Sequence, residues 1–139
     1  MTYSYEFLEH TADVKFKAKG SSLKEAFLAS ALALNSIIRG NIKILNTKEK
    51  KIKIKAKDKV GLLNRFLEEF LFLLDSQNFL VSSIKDLTIN EEKLSLSATL
   101  KGDNAKNYKF TNDVKAITYN EMFIKKEKEE YICQVVLDV

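Results

Sequence analysis

The 139-residue chain contains no proline, four glycines, one cysteine and one histidine. Each scarcity removes a class of explanation. Without proline, and with glycine only at Gly20, Gly40, Gly61 and Gly102, no stretch has the composition of a linker. The single cysteine, Cys133, excludes an intramolecular disulfide and a thiolate zinc site, which needs several Cys or His ligands. A reducing compartment fits, and the apolar neighbours of Cys133 make it a core residue. There is no glycine-rich phosphate loop: "AKDKVG" and "KGDNAK" match neither a P-loop nor a dinucleotide fingerprint, so the protein is not expected to bind a nucleotide alone. The N-terminus has no basic patch leading into a long apolar run, so no signal peptide is expected. The most apolar stretch, "FLEEFLFLLDSQNFLV", is broken by Glu68, Glu69 and Asp75 and is too short and charged to span a membrane. No repeat or low-complexity tract is present. These absences leave a single domain over residues 1–139, soluble and cytoplasmic, with no membrane partner.

What is present suits a folded domain. Hydrophobic residues make up 45% of the chain, enough for one ordinary core. The net charge is +4 and the pI about 9.0, which permits contact with nucleic acid or an acidic partner without establishing either.

Periodicity divides the chain into strands and helices. Val14, Phe16 and Ala18 alternate with Lys15, Lys17 and Lys19, the mark of a strand with one buried face, and Tyr3, Tyr5 and Phe7 suggest a shorter strand before it. Ser22 and Glu25 have capping-box spacing, and Leu23, Phe27, Ala31, Leu34 and Ile38 follow at helical intervals up to Gly40. Ile42 and Ile44 look like a strand. Ile52, Ile54 and Ala56 alternate with lysines as another. Asp58 caps a second helix with an apolar face of Leu62, Leu63, Phe66, Leu67, Phe70, Leu71 and Leu74. "SSIKDLTIN" with "KLSLSATL" reads as one hairpin, and "VKAITYNEMFI" with "EYICQVVLDV" as another. The expected class is α+β: a largely antiparallel sheet with two main helices packed on one face.

Few residues carry chemistry. His10, Thr11 and Asp13 stand together in "HTADVKFKAKG", and Asp138 breaks the apolar run "CQVVLDV" next to Val139. If the first and last strands are neighbours, Asp13, Asp138 and Val139 converge as oxygen ligands suited to a hard cation. An Asx turn at Asp13 and a solvated Asp138 are the plainer alternative. His10 could ligate a metal, transfer protons or touch RNA, and is as readily a surface residue. Lys115 could bind phosphate or an acidic partner. Lys48, Lys50, Lys51, Lys53, Lys55 and Lys57 are first the wet face of a strand and a guard on a sheet edge. They lack the interleaved aromatics of a single-strand platform. No Ser or Cys nucleophile has a recognisable setting, so a hydrolytic triad has no support.

Taken in order, "HTADVKFKAKG", "LKEAFLASALAL", "LLNRFLEEFLFLLD", "DVKAITYN" and the closing "VVLDV" resemble the archease family over essentially the whole chain. The resemblance implies an accessory protein, not an enzyme, that serves an RtcB-type RNA ligase in tRNA splicing and RNA repair. Such a ligase is charged with GMP on a histidine, using GTP and a divalent metal. The accessory protein speeds guanylylation, sustains multiple turnover and can broaden nucleotide use. By position, Asp13 and Asp138 correspond to the family's metal-binding aspartates and Val139 to a further oxygen ligand. The implied ion is divalent and hard, Ca²⁺ first, with Mg²⁺ or Mn²⁺ as alternatives. Lys115 corresponds to the functional lysine, and His10 joins it as a ligase-activation residue. RNA is reached through the ligase, and DNA is not expected as a partner. Where the family often has histidine after Thr-Tyr, this chain has Asn120, which cannot carry a proton in a pH-dependent way. A general chaperone or adaptor and a direct RNA-binding module stand as the alternatives.

Overall fold

A computed structural model describes residues 2–8 and 13–139. The elements in order are β1 (Tyr3–Leu8), β2 (Val14–Gly20), α1 (Leu23–Arg39), β3 (Lys48–Lys55), α2 (Lys59–Gln77), β4 (Phe79–Asn90), β5 (Ser95–Asn104), a 3₁₀ turn (Ala105–Asn107), β6 (Ala116–Glu127) and β7 (Glu130–Asp138). The α+β class is as expected, with every described strand pairing antiparallel. The strands divide into two sheets rather than one: β1-β2-β7-β6 and β3-β5-β4. Both helices touch both sheets, α1 against β1, β2, β7 and β4, and α2 against β6, β4, β3 and β5. That placement explains why each helix is buried around much of its circumference.

The caps work largely as the sequence suggests. The Ser22 side chain accepts the Glu25 N–H at 3.1 Å and starts α1, and Asp58 accepts the Gly61 N–H at 2.6 Å and starts α2. The reciprocal half of the box at Ser22 does not form. The Glu25 carboxylate instead accepts from the Ser21 hydroxyl and from the Thr2 N–H at 3.2 Å, tying the approach to β1 onto α1. These bonds, Ser21 first, lower the Glu25 pKa. Gly40 ends α1 with φ +65°, a conformation that suits glycine. Asn78 ends α2 in the left-handed region, with its N–H on Leu73 and Leu74 carbonyls.

Ile42 and Ile44 do not form a strand. Their carbonyls are taken by side chains, Arg39 on Ile42 at 3.0 Å and Ser82 on Ile44 at 2.9 Å. The Leu45 N–H goes to the Tyr108 hydroxyl at 3.0 Å, and Thr47 bonds Asp103. With those groups satisfied, the segment lies along the core as irregular chain with Ile44 buried. The core centres on Phe27, Phe66 and Phe70: Phe27 and Phe66 stack at 6.1 Å, and Phe70 meets Phe66 edge-on at 5.5 Å. Cys133 is fully buried, as its neighbours predict.

The smaller sheet presents its inner face to the helices through Ile52, Ile54, Leu96, Ala98 and Leu100. The opposite face is polar row by row. Lys51 lies across from Thr99 and then Lys85, Lys53 from Ser97 and Thr88, and Lys55 from Ser95 and Asn90. Strand β3 is an edge, and its alternating lysines guard it as expected.

Candidate functional site at the end of the central strands

The candidate site is assembled by register. In the larger sheet β7 lies between β2 and β6. Val14 pairs with Leu137 across β2–β7, and Ala116 pairs with Asp138 across β6–β7. Extending the first pairing by one residue sets Asp13 across from Asp138. On the other side the Lys115 N–H donates to the Asp138 carbonyl at 2.7 Å. Asp13, Lys115, Asp138 and Val139 therefore share one end of three adjacent strands. Asp13 and Val139 are half-buried, while Asp138 and Lys115 are exposed.

Local sequence holds this end in place. β7 is buried at every residue from Ile132 to Leu137, so its path is fixed by packing on both faces. Val114 is buried, and its N–H is held by the Asn112 side chain at 3.0 Å, so Lys115 emerges directly from an anchored turn. Residues 109–115 enter β6 as irregular chain. Further along, β6 loses register with β7 between Thr118 and Phe123, and Glu121 there has φ 56°. The Gln134 amide donates to the Glu121 carbonyl at 2.9 Å, and Lys15 pairs with the Glu121 carboxylate at 3.3 Å. The bulge lifts Tyr119 and Asn120 away from β7, leaving Tyr119 60% exposed.

Beside Lys115 runs an open cleft of about 400 Å³ between β6 and α2. Lys115, Ala116 and Ile117 line one wall, and Arg65, Glu69 and Phe72 the other. Phe72 is 56% exposed. The Glu69 pKa is raised, chiefly by burial, against the opposing charge of Arg65. The end of the larger sheet thus offers two carboxylates on one side and a lysine with an exposed aromatic on the other.

As candidate ligands, Asp13, Asp138 and a main-chain oxygen of Val139 would supply only oxygen, which suits a hard cation better than zinc. Among the described residues no group of three or more His, Cys, Asp or Glu side chains is placed to hold a metal. Two side-chain carboxylates would therefore need main-chain oxygens and water to complete a shell of roughly six to eight ligands. His10 and Thr11 lie outside the described residues. Phe72, Arg65, Glu69 and Tyr119 were not singled out by sequence reasoning. Phe72 carried a usable signal, since it is a large aromatic lying off the apolar stripe of its own helix. Asn120 sits on the lifted segment, its N–H held by the Thr118 hydroxyl at 3.2 Å.

Comparison with known proteins agrees with the architecture. "Protein archease" of Methanosarcina acetivorans is 32% identical over 97% of this chain and 95% of its own length. "Protein archease" of Saccharolobus islandicus is 35% identical over 98% of this chain and 99% of its own. The solution structure of Methanobacterium thermoautotrophicum protein 1598 superposes with a TM-score of 0.83 at 32% identity, covering 97% of this chain and 98% of that one. A crystal structure from Thermotoga maritima, described as an archease and possible chaperone, shares the fold with a TM-score of 0.66 at 22% identity, covering 95% and 94%. The model of the Archease protein family matches residues 5–139, and the chain belongs to that family.

Proposed function

We propose that this protein is a non-enzymatic activator of an RtcB-type RNA ligase, acting in tRNA splicing and RNA repair through the end of the larger sheet. The observation that supports this reading is the register that brings one end of β2, β7 and β6 together, with Asp13 just before β2, Asp138 ending β7 and Lys115 just before β6. Asp13, Asp138 and an oxygen of Val139 would hold a divalent hard cation, Ca²⁺ first, with Mg²⁺ or Mn²⁺ as alternatives. The chemistry such a cation supplies is neutralisation of phosphate oxygens. Lys115 adds a mobile positive charge on a fixed main chain, suited to a phosphate of the ligase's nucleotide. Phe72, exposed across the cleft from Lys115, gives a docking partner an apolar anchor. Thiol catalysis by the protein itself is disfavoured by the complete burial of Cys133.

The test is multiple-turnover RNA ligation by the matching ligase at limiting GTP and metal. Wild-type protein should give many turnovers, and Asp13→Ala or Lys115→Ala should fall to the level of ligase alone while melting like wild type. Calcium titration of the isolated protein should lose its binding heat in Asp138→Asn. Normal stimulation by Asp138→Lys would refute the acidic-end mechanism. A chaperone reading draws on the exposed Phe72 and Tyr119, and predicts client binding indifferent to Asp13 and Asp138.

A further inference from the structure

We infer that the outer face of the β3-β5-β4 sheet is a second binding surface, built for the sugar–phosphate backbone of duplex RNA. It lies on a different sheet from the ligase-directed end, and its argument does not depend on that reading.

The register places Lys51, Lys53, Lys55 and Lys85 on one face, with helices only on the other. Successive lysines on β3 are about 6.6 Å apart, from a rise of about 3.3 Å per residue. All four are exposed. Among the described residues none of them carries an ion pair, whereas Lys101 on the same face is neutralised by Glu49 at 3.4 Å. Both β3 and β4 are edge strands, so edge protection covers Lys51, Lys53, Lys55 and Lys85 alike. It does not account for what stands between them. The central strand contributes only Ser95, Ser97 and Thr99 to these rows, so hydroxyls fill the floor between the lysine columns.

Two open hollows adjoin these lysines. One, of about 610 Å³, lies at the end of the sheet where Arg65 of α2 meets Lys53, Lys55 and Lys93, and no carboxylate lines it. The other, of about 430 Å³, has Lys51 and Lys53 with a single carboxylate, Asp86. A basic, flat surface of this kind complements a phosphate backbone. The absence of aromatics from the face argues against splayed single-stranded bases, which need stacking platforms. The hydroxyl rows favour RNA over DNA, because a shallow A-form minor groove displays 2′-hydroxyls that Ser and Thr can bond.

The experiment is fluorescence anisotropy of the protein alone with a labelled RNA hairpin, a DNA hairpin of the same sequence and poly-glutamate. With four phosphate contacts, RNA affinity should drop about 100-fold between 50 and 200 mM NaCl. Changing Lys51, Lys53, Lys55 and Lys85 together to Gln should weaken RNA binding at least tenfold and lower the salt slope by roughly three to four. Replacing the same four by Arg keeps the charge and the guarded edge, and should restore binding if the Gln variant proves poorly folded. DNA should bind several-fold more weakly and poly-glutamate not at all. An RNA affinity flat in salt, an unchanged Gln variant, a folded Arg variant that fails to bind, or equal binding of DNA or poly-glutamate would each overturn the assignment.

Discussion

Cys133 gives the sharpest test of the structure. It lies in the middle of β7, opposite Ala18, with no exposed surface. Burial pushes its thiol up from the ordinary 9.0 to about 12, against a weaker lowering by a hydrogen bond with Ser30. At pH 8 an ordinary thiol of that kind is about one-tenth thiolate, while one near 12 is about one ten-thousandth. Ionisation alone therefore slows reaction with a disulfide reagent about a thousandfold, and burial adds to this. Labelling followed by absorbance should be complete in guanidinium within minutes, and in native buffer should proceed only as fast as the chain opens. Native labelling within tenfold of the denatured rate would refute the burial of β7.

The same shift has a thermodynamic consequence. A neutral thiol is retained in the fold while the unfolded chain ionises, so the unfolded state binds fewer protons above pH 9. Stability is then intact below the ordinary thiol pKa and falls as pH rises from there toward about 12. The fall is about 1.4 kcal/mol at pH 10, one pKa unit's worth. Cys133→Ala removes this term and leaves the other alkaline titrations in place. Urea unfolding of the two proteins between pH 7 and 10.5 should show wild type losing stability relative to the variant. Parallel curves would show that the thiol ionises freely in the fold.

Three further outcomes follow from packing and hydrogen bonding. A Cβ at Gly102 would sit 2.1 Å from the Leu80 carbonyl oxygen, so Gly102→Ala should destabilise by about 2–4 kcal/mol in urea unfolding, since main chain must give way. Phe66→Ala removes a fully buried ring between Phe27 and Phe70 and should cost about 3–5 kcal/mol, read as a large drop in melting temperature. Hydrogen bonds from Thr47, Tyr108 and the Asn104 N–H lower the Asp103 pKa from 3.8 to about 2. That stabilisation is complete above the ordinary value and is lost as pH falls toward about 2, so Asp103→Asn should flatten this part of the acid unfolding profile.

Much of the fold could be read from the chain because its signals are local. Ser22 and Asp58 bond amides three residues away, and the alternation in β2 and β5 reports burial face by face. Alternation names a buried face but not a neighbour, so the division into two sheets carried no signal in the sequence. The Ile42–Ile44 segment misleads for a related reason. Its period-two pattern is real, but its carbonyls are claimed by Arg39 and Ser82, the latter distant in sequence. The bulge at Glu121 likewise depends on a tertiary partner, the Gln134 amide on the Glu121 carbonyl. Asp13 and Asp138 were legible as residue types, but their adjacency depends on β2 pairing with β7 across more than a hundred residues. Lys51 and Lys85 show the limit from the other side, since each reads singly as a wet strand position and only the register makes them one surface.

The two proposed surfaces differ in how they are supported, and that difference makes them separable. The acidic end stands on β7, which passes from full burial at Leu137 to an exposed Asp138 in one residue. Its main chain is held by neighbours on both sides, so side-chain changes there alter chemistry without releasing the fold. The lysine face stands on a sheet with an open edge at β3, where charge serves both binding and protection against strand pairing. Only the helix layer, through α2, touches both sheets at these places. Arg65 on α2 lines a hollow at each place and is left unchanged in every variant, and substitutions well separated in space add in free energy. Asp13→Ala should therefore leave hairpin affinity and its salt slope unchanged, and the four-lysine Gln variant should keep its calcium-binding heat. A combined variant should show the product of the separate losses in ligation at subsaturating RNA. A combined loss much smaller than that product would mean that one surface acts only through the other, and that RNA and ligase meet at a single site.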